Sequence, residues 1–119
     1  MGYKLQNGWF ESQMSNTKNI FSHIPENLPD EVFETILTGD KVLIERIVSK
    51  EHSSPKDFWY DQDQNEWMLL LKGNAKLKFD NNETAELKEG NYINVPAHKK
   101  HRVDWTDPDE ETIWLAVFY

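Results

Sequence analysis

From Lys41 to Phe118, apolar residues recur at every second position, in short runs closed by Gly, Asn, Asp or Pro. Side chains alternate between the two faces of a strand, so this period is that of half-buried β-structure. Lys41–Ser49, Phe58–Tyr60, Glu66–Leu71, Ala75–Phe79, Glu83–Leu87, Tyr92–Val95, His101–Thr106 and Thr112–Phe118 read as strands. Asp80-Asn81-Asn82 and Glu89-Gly90-Asn91 supply tight turns, because Asn and Gly tolerate positive φ. About eight short strands at even spacing predict an all-β sandwich or barrel. One segment breaks the pattern. Between Pro29 and Leu37, Phe33, Ile36 and Leu37 fall at i, i+3 and i+4 behind Asp30 and Glu31, which predicts a short N-terminal helix stopped at Gly39.

The 119 residues fit one domain. Residues 29–119 form it, and residues 1–28 read as an N-terminal extension or tail. Met14 heads an ordinary polar stretch and is an alternative start, which would make residues 1–13 a tail. Trp9 and Phe10 allow that tail to pack on the domain or on a neighbour. Five Trp, six Phe and four Tyr supply the area for a core. A net charge of -8 without a basic cluster argues against nucleic acid or an anionic membrane as partner. The absence of Cys excludes thiolate catalysis, disulfides and Cys-type zinc sites. No apolar run approaches the ~20 residues of a membrane span, and no signal-peptide order is present, so a cytoplasmic protein is expected.

Two polar side chains sit on strands otherwise made for burial. Glu66 shares a face with Met68 and Leu70. His101 shares a face with Val103 and Trp105, opposite Arg102 and Asp104. Both therefore point toward the core, where an unpaired charge is costly. The other face of the Glu66 strand carries Trp67, Leu69 and Leu71. A strand apolar on both faces needs a second cover. The N-terminal segment or another subunit can supply it, and a homodimer is expected.

These residues resemble the cupins, the small jelly-roll family. The first cupin motif runs Gly, five residues, His-x-His, three or four residues, Glu, six residues, Gly. Glu66 and Gly73 match its end. The second runs Gly, five residues, Pro-x-Gly, two residues, His, three residues, Asn. Gly90, Pro96 and His101 match it. Phe58-Trp59-Tyr60-Asp61-Gln62, Asn65-Glu66-Trp67 and Pro96-Ala97-His98-Lys99-Lys100-His101 are similar to small single-domain bacterial cupins. The resemblance implies a cupin-type jelly-roll β-barrel over about residues 40–118. It also implies a divalent metal held by the two His, the Glu and the later His. The His-x-His pair is absent here. Its places fall on Trp59 and Asp61 with four intervening residues, or on Tyr60 and Gln62 with three. His98 replaces the motif glycine, and Trp105 replaces the Asn.

The metal expectation is a set of Asp61, Glu66 and His101, completed by His98 or water. Carboxylate and imidazole ligands suit Fe(II), Mn(II) or Zn(II). The competing reading pairs Glu66 with His101 or Arg46 and leaves Asp61 and His98 in exposed turns. Trp59, Tyr60, Gln62 and Trp105 are the candidate ligand-pocket residues, with Tyr92 and Trp114 as further aromatic candidates. Three function classes follow. One is a metal-dependent enzyme acting on a small organic molecule. The second is a metal-free binding or sensory module for a sugar or carboxylic acid. The third is a structural protein with a degenerate cavity.

Overall fold

The computed structural model describes residues 17–119. Eight strands run in chain order: β1 Val32–Thr38, β2 Leu43–Ser49, β3 Glu66–Lys72, β4 Asn74–Phe79, β5 Thr84–Lys88, β6 Tyr92–Val95, β7 His101–Thr106 and β8 Thr112–Phe118. They form a five-stranded sheet of order β1-β2-β8-β3-β6 and a three-stranded sheet of order β5-β4-β7. Every strand pair is antiparallel. The crossovers between the sheets make a jelly roll. No helix among the described residues is long and apolar enough to cross a membrane. The tail expected over residues 1–13 lies outside the described residues.

The short N-terminal helix is not formed. Its residues are β1, paired with β2 from Val32↔Val48 to Thr38↔Leu43. The sequence Val-Phe-Glu-Thr-Ile-Leu-Thr is rich in β-branched and aromatic residues, which fit a pleated surface and lose rotamer freedom in a helix. The helical spacing of Phe33, Ile36 and Leu37 comes from an extra residue. Between Thr35 and Leu37 the register slips, so Leu37 pairs with Ile44 on the opposite face from Phe33. The aromatic strand expected at 58–60 is reduced to a single bridge, Tyr60↔His101.

The core lies between the sheets. Register puts Ile47, Trp114 and Leu70 side by side, with Ala116 beside Met68 in the next row. Leu77, Ala75 and Phe79 of β4 close on them from the opposite sheet. Leu70 and Leu77 have no exposed surface. Burying such a side chain is worth about 2 kcal/mol.

The outer face of the larger sheet is also apolar, with Trp67 and Leu69 of β3 beside Val117 and Leu115 of β8. Part of its cover comes from the segment before β1. The Arg46 guanidinium projects from this face and donates to the carbonyls of Ile20, Ser22 and His23 and to the Glu34 carboxylate. That clamp ties the segment to β2. Val48, on the same face, is fully buried. Farther along the face, Trp67 packs against Tyr92 at 5.5 Å, and Tyr92 is 68 % exposed.

Gly73 joins β3 to β4 at φ +93°, where a Cβ would lie 2.5 Å from Thr112 Oγ1 and 2.8 Å from Thr112 Cα. Gly90 has φ +88° with open space around it. Gly73→Ala is therefore expected to cost about 3 kcal/mol, from strain plus a backbone clash. Gly90→Ala should cost about 1 kcal/mol, from strain alone. Urea denaturation of the two variants measures the difference, and equal losses would contradict the packing at Thr112.

Candidate functional site

Glu66 opens β3, which lies between β6 and β8, so its backbone is fixed on both sides. His101 opens β7 beside Phe79 of β4. The two residues stand on different sheets and meet inside the barrel. His101 Nε2 lies 3.3 Å from Glu66 Oε1, and the residues are 4 % and 6 % exposed. The imidazole is held from two further directions. Tyr60 and His101 exchange backbone hydrogen bonds of 2.8 and 3.1 Å, which stacks their rings at 5.7 Å. His101 Nδ1 lies 3.0 Å from the Lys99 carbonyl oxygen.

These contacts set the protonation state. A carbonyl oxygen only accepts, so Nδ1 carries a hydrogen. A carboxylate only accepts, so Nε2 carries one as well. Burial opposes a charged imidazole. The bond to Glu66, the bond to the Lys99 carbonyl and the charge of the carboxylate outweigh it, and the His101 pKa is raised above the ordinary histidine value. Below that raised value the imidazole is protonated and donates to Glu66.

It faces a cavity of about 70 Å³. Phe33, Ile47, Met68, Leu77, Val103, Trp114 and Phe118 form the apolar walls. Glu31, Tyr60, Gln62, Glu66 and His101 are the polar lining. Gln62 Oε1 is buried and has no hydrogen-bond partner. Glu31 accepts a bond from Ser49 Oγ. Burial, then the charges of Glu31 and Glu66, raise the Tyr60 pKa, so its hydroxyl stays protonated as a donor. Burial and then Glu66 raise the pKa of Glu45, an inward-facing neighbour on β2.

The structure thus brings together four of the sequence candidates: Tyr60, Gln62, Glu66 and His101. The other four lie elsewhere. The Asp61 carboxylate meets His98 Nδ1 at 2.9 Å, and Asp63 lies 3.6 Å from His98 Nε2, in an exposed loop. His98 has φ +66°, as its place in a turn suggests. Trp59 lies under the Arg102 guanidinium at 6.0 Å and does not line the cavity. Trp105 is turned outward. One extra residue in β7 puts Val103 opposite Leu77 but Trp105 opposite the exposed Lys76, whose ammonium lies 5.4 Å from the ring centroid. Tyr92 is on the outer sheet face. Glu31 and Phe33 were missed, because the segment that carries them was read as a helix.

A profile of the cupin domain family matches residues 44–118. The chain belongs to the cupin family. The fold agrees: a proposed mannose-6-phosphate isomerase from Ralstonia eutropha JMP134 superposes with a TM-score of 0.83 at 40 % identity, covering 86 % of this chain and 95 % of that one. A cupin superfamily protein from Desulfitobacterium hafniense DCB-2 gives 0.67 at 20 % identity, covering 80 % and 82 %. A Streptococcus pyogenes protein of unknown function gives 0.69 at 17 % identity, covering 87 % and 86 %. The last two likenesses concern the fold alone. No curated protein matches this chain.

The metal that cupins commonly hold does not fit the residues present. Among the described residues, no three His, Cys, Asp or Glu side chains are grouped to hold an ion. The expected set of Asp61, Glu66 and His101 is not assembled, because Asp61 is bonded to His98. His101 also has no free lone pair to offer while both ring nitrogens face acceptors.

The raised His101 pKa has a sign. Its stabilising contribution is complete below the ordinary histidine pKa of about 6.5 and is lost as pH rises through the higher folded value. Stability should fall as pH rises above about 6.5 and through that higher folded value. In Glu66→Gln, His101 should titrate at lower pH, and that fall should shrink. Imidazole proton shifts in an NMR titration check this. His101→Ala, which leaves the carboxylate buried and unpaired, should cost about 3 kcal/mol in urea denaturation.

Proposed function

We propose that this cupin binds a small organic molecule in its barrel cavity without a metal, using the Glu66–His101 pair as the polar anchor. One observation carries the reading. The hydrogen-bonded Glu66–His101 pair stands at the wall of an apolar cavity beside an unpartnered amide oxygen. Ligand pockets typically combine apolar walls with a few placed polar groups of this kind. The pair also has the equipment of a general acid: an imidazolium whose proton is held by a carboxylate. Turnover would require a substrate atom within hydrogen-bond reach of Nε2, and the same geometry serves binding alone.

Sugar phosphate isomerisation, the activity in the name of the Ralstonia eutropha relative, is the second reading. Two features of this chain's cavity weigh against it. No Lys or Arg lines it to meet a phosphate. Its volume is about 70 Å³. A hexose phosphate is far larger.

Two measurements test the proposal. Melting temperature should be unchanged by EDTA and by added Fe(II), Mn(II) or Zn(II), because only a species that binds the native state raises it. A stoichiometric metal in protein purified after metal-supplemented expression would overturn the metal-free reading. Incubation with mannose 6-phosphate should give no fructose 6-phosphate above the blank, and measurable turnover would favour the second reading.

A further inference from the structure

We propose that the ligand of this cavity is a small organic cation, an alkylammonium ion or a similar amine, whose N–H groups donate to Gln62 Oε1 and to the carboxylate end of the cavity. The inference rests on the reading of the cavity as a binding site and narrows it to one chemical class.

The charge balance of the walls comes first. Glu31 and Glu66 line the cavity, and Glu45 faces inward beside Glu66. Against these three carboxylates stands one cation, His101, already in contact with Glu66. The two arginines near the barrel are engaged elsewhere. Arg46 holds Glu34 and three backbone carbonyls on the outer sheet face. Arg102 donates to the Ser54 carbonyl and lies over Trp59. An anion entering this space would meet uncompensated negative charge in a medium of low dielectric. A cation would complete the balance.

Hydrogen bonding points the same way. Gln62 Oε1 is a buried acceptor without a donor, and such an atom costs free energy until a donor reaches it. Glu31 and Glu66 add further acceptors. An ammonium group has only donors to give and matches the acceptors Gln62 Oε1, Glu31 and Glu66. A carboxylate ligand offers none, and an alcohol offers one. Aromatic faces complete the fit. Phe33, Tyr60 and Trp114 line the same space, and ring faces attract organic cations. The volume of about 70 Å³ suits a chain of a few carbons with one amine. Burial first, and nearby carboxylate charge second, raise the Tyr60 and Glu45 pKa values.

Three probes of one shape separate the classes: n-propylammonium, 1-propanol and propionate, each titrated into the full chain at pH 7, constant ionic strength and with EDTA present. The readouts are melting temperature and NMR shifts of the Gln62 side-chain amide and the His101 ring. Propylammonium is expected to bind at least tenfold more tightly than propanol, with no binding of propionate. Gln62→Leu should weaken propylammonium at least tenfold while its own melting temperature stays near that of the parent. Equal or tighter binding of propanol or propionate would overturn the cation assignment and leave the cavity reading intact. Undiminished propylammonium binding in Gln62→Leu would overturn the role of that oxygen. If no probe binds, the cavity reading fails together with the assignment.

Discussion

Among the described residues, the bond between Glu66 and His101 is the one hydrogen bond between two buried side chains that joins the five-stranded sheet to the three-stranded sheet. Taking two charges out of water costs several kcal/mol per ion, and attraction offsets this only where geometry is well held. Here the geometry is held on both sides. Glu66 is locked between β6 and β8, and His101 is fixed by the Tyr60 backbone and by its register with Phe79. The separation of the sheets is thereby tied to one contact of 3.3 Å. Leu70 and Leu77 set the same spacing by packing, but packing of this kind tolerates small shifts that a hydrogen bond does not.

The pair also explains how this chain departs from the metal-binding pattern of its family. Where three imidazoles and a carboxylate share a divalent ion, the ion's charge satisfies the buried Glu. With two of the imidazoles gone, one proton on His101 does that work. Tyr60 and Gln62 stand where the three-residue spacing puts the missing histidines, and both line the cavity. Neither brings a positive charge. The exchange of two ligands for a phenol and an amide leaves the region short of cationic charge and provided with acceptors.

Much of this was legible in the chain. Period-two runs and turn residues locate β2 to β8 closely, because each strand is half-buried and the turn chemistry is local. Parity sends His101 inward, but β3 is apolar on both faces, so the inward placement of Glu66 and its meeting with His101 rest on the resemblance to the two cupin motifs. The failures share one physical cause. Bulges change parity, and nothing in a short run of residues announces one. The extra residue Ile36 gave β1 a helical spacing. The extra residue Asp104 turned Trp105 out of the barrel, where parity from His101 had placed it inside. Asp61 illustrates a different limit: its bond to His98 spans 37 positions and depends on how two loops settle against each other.

The same bulges decide which side chains face the interior. In an unbroken β7, Trp105 would follow His101 and Val103 onto the inner face. An indole there would take up space next to Leu77 and Ala75. With the bulge, Thr106 instead turns inward, buried to 1 % exposure, and its hydroxyl donates to the His52 carbonyl. A small polar side chain tied to the wall replaces a large aromatic one. In β1, Phe33 faces inward, and the slip after Thr35 turns Leu37 to the outer face, so Leu37 does not reach the interior. Two single-residue irregularities thus turn Trp105 and Leu37 out of the barrel interior.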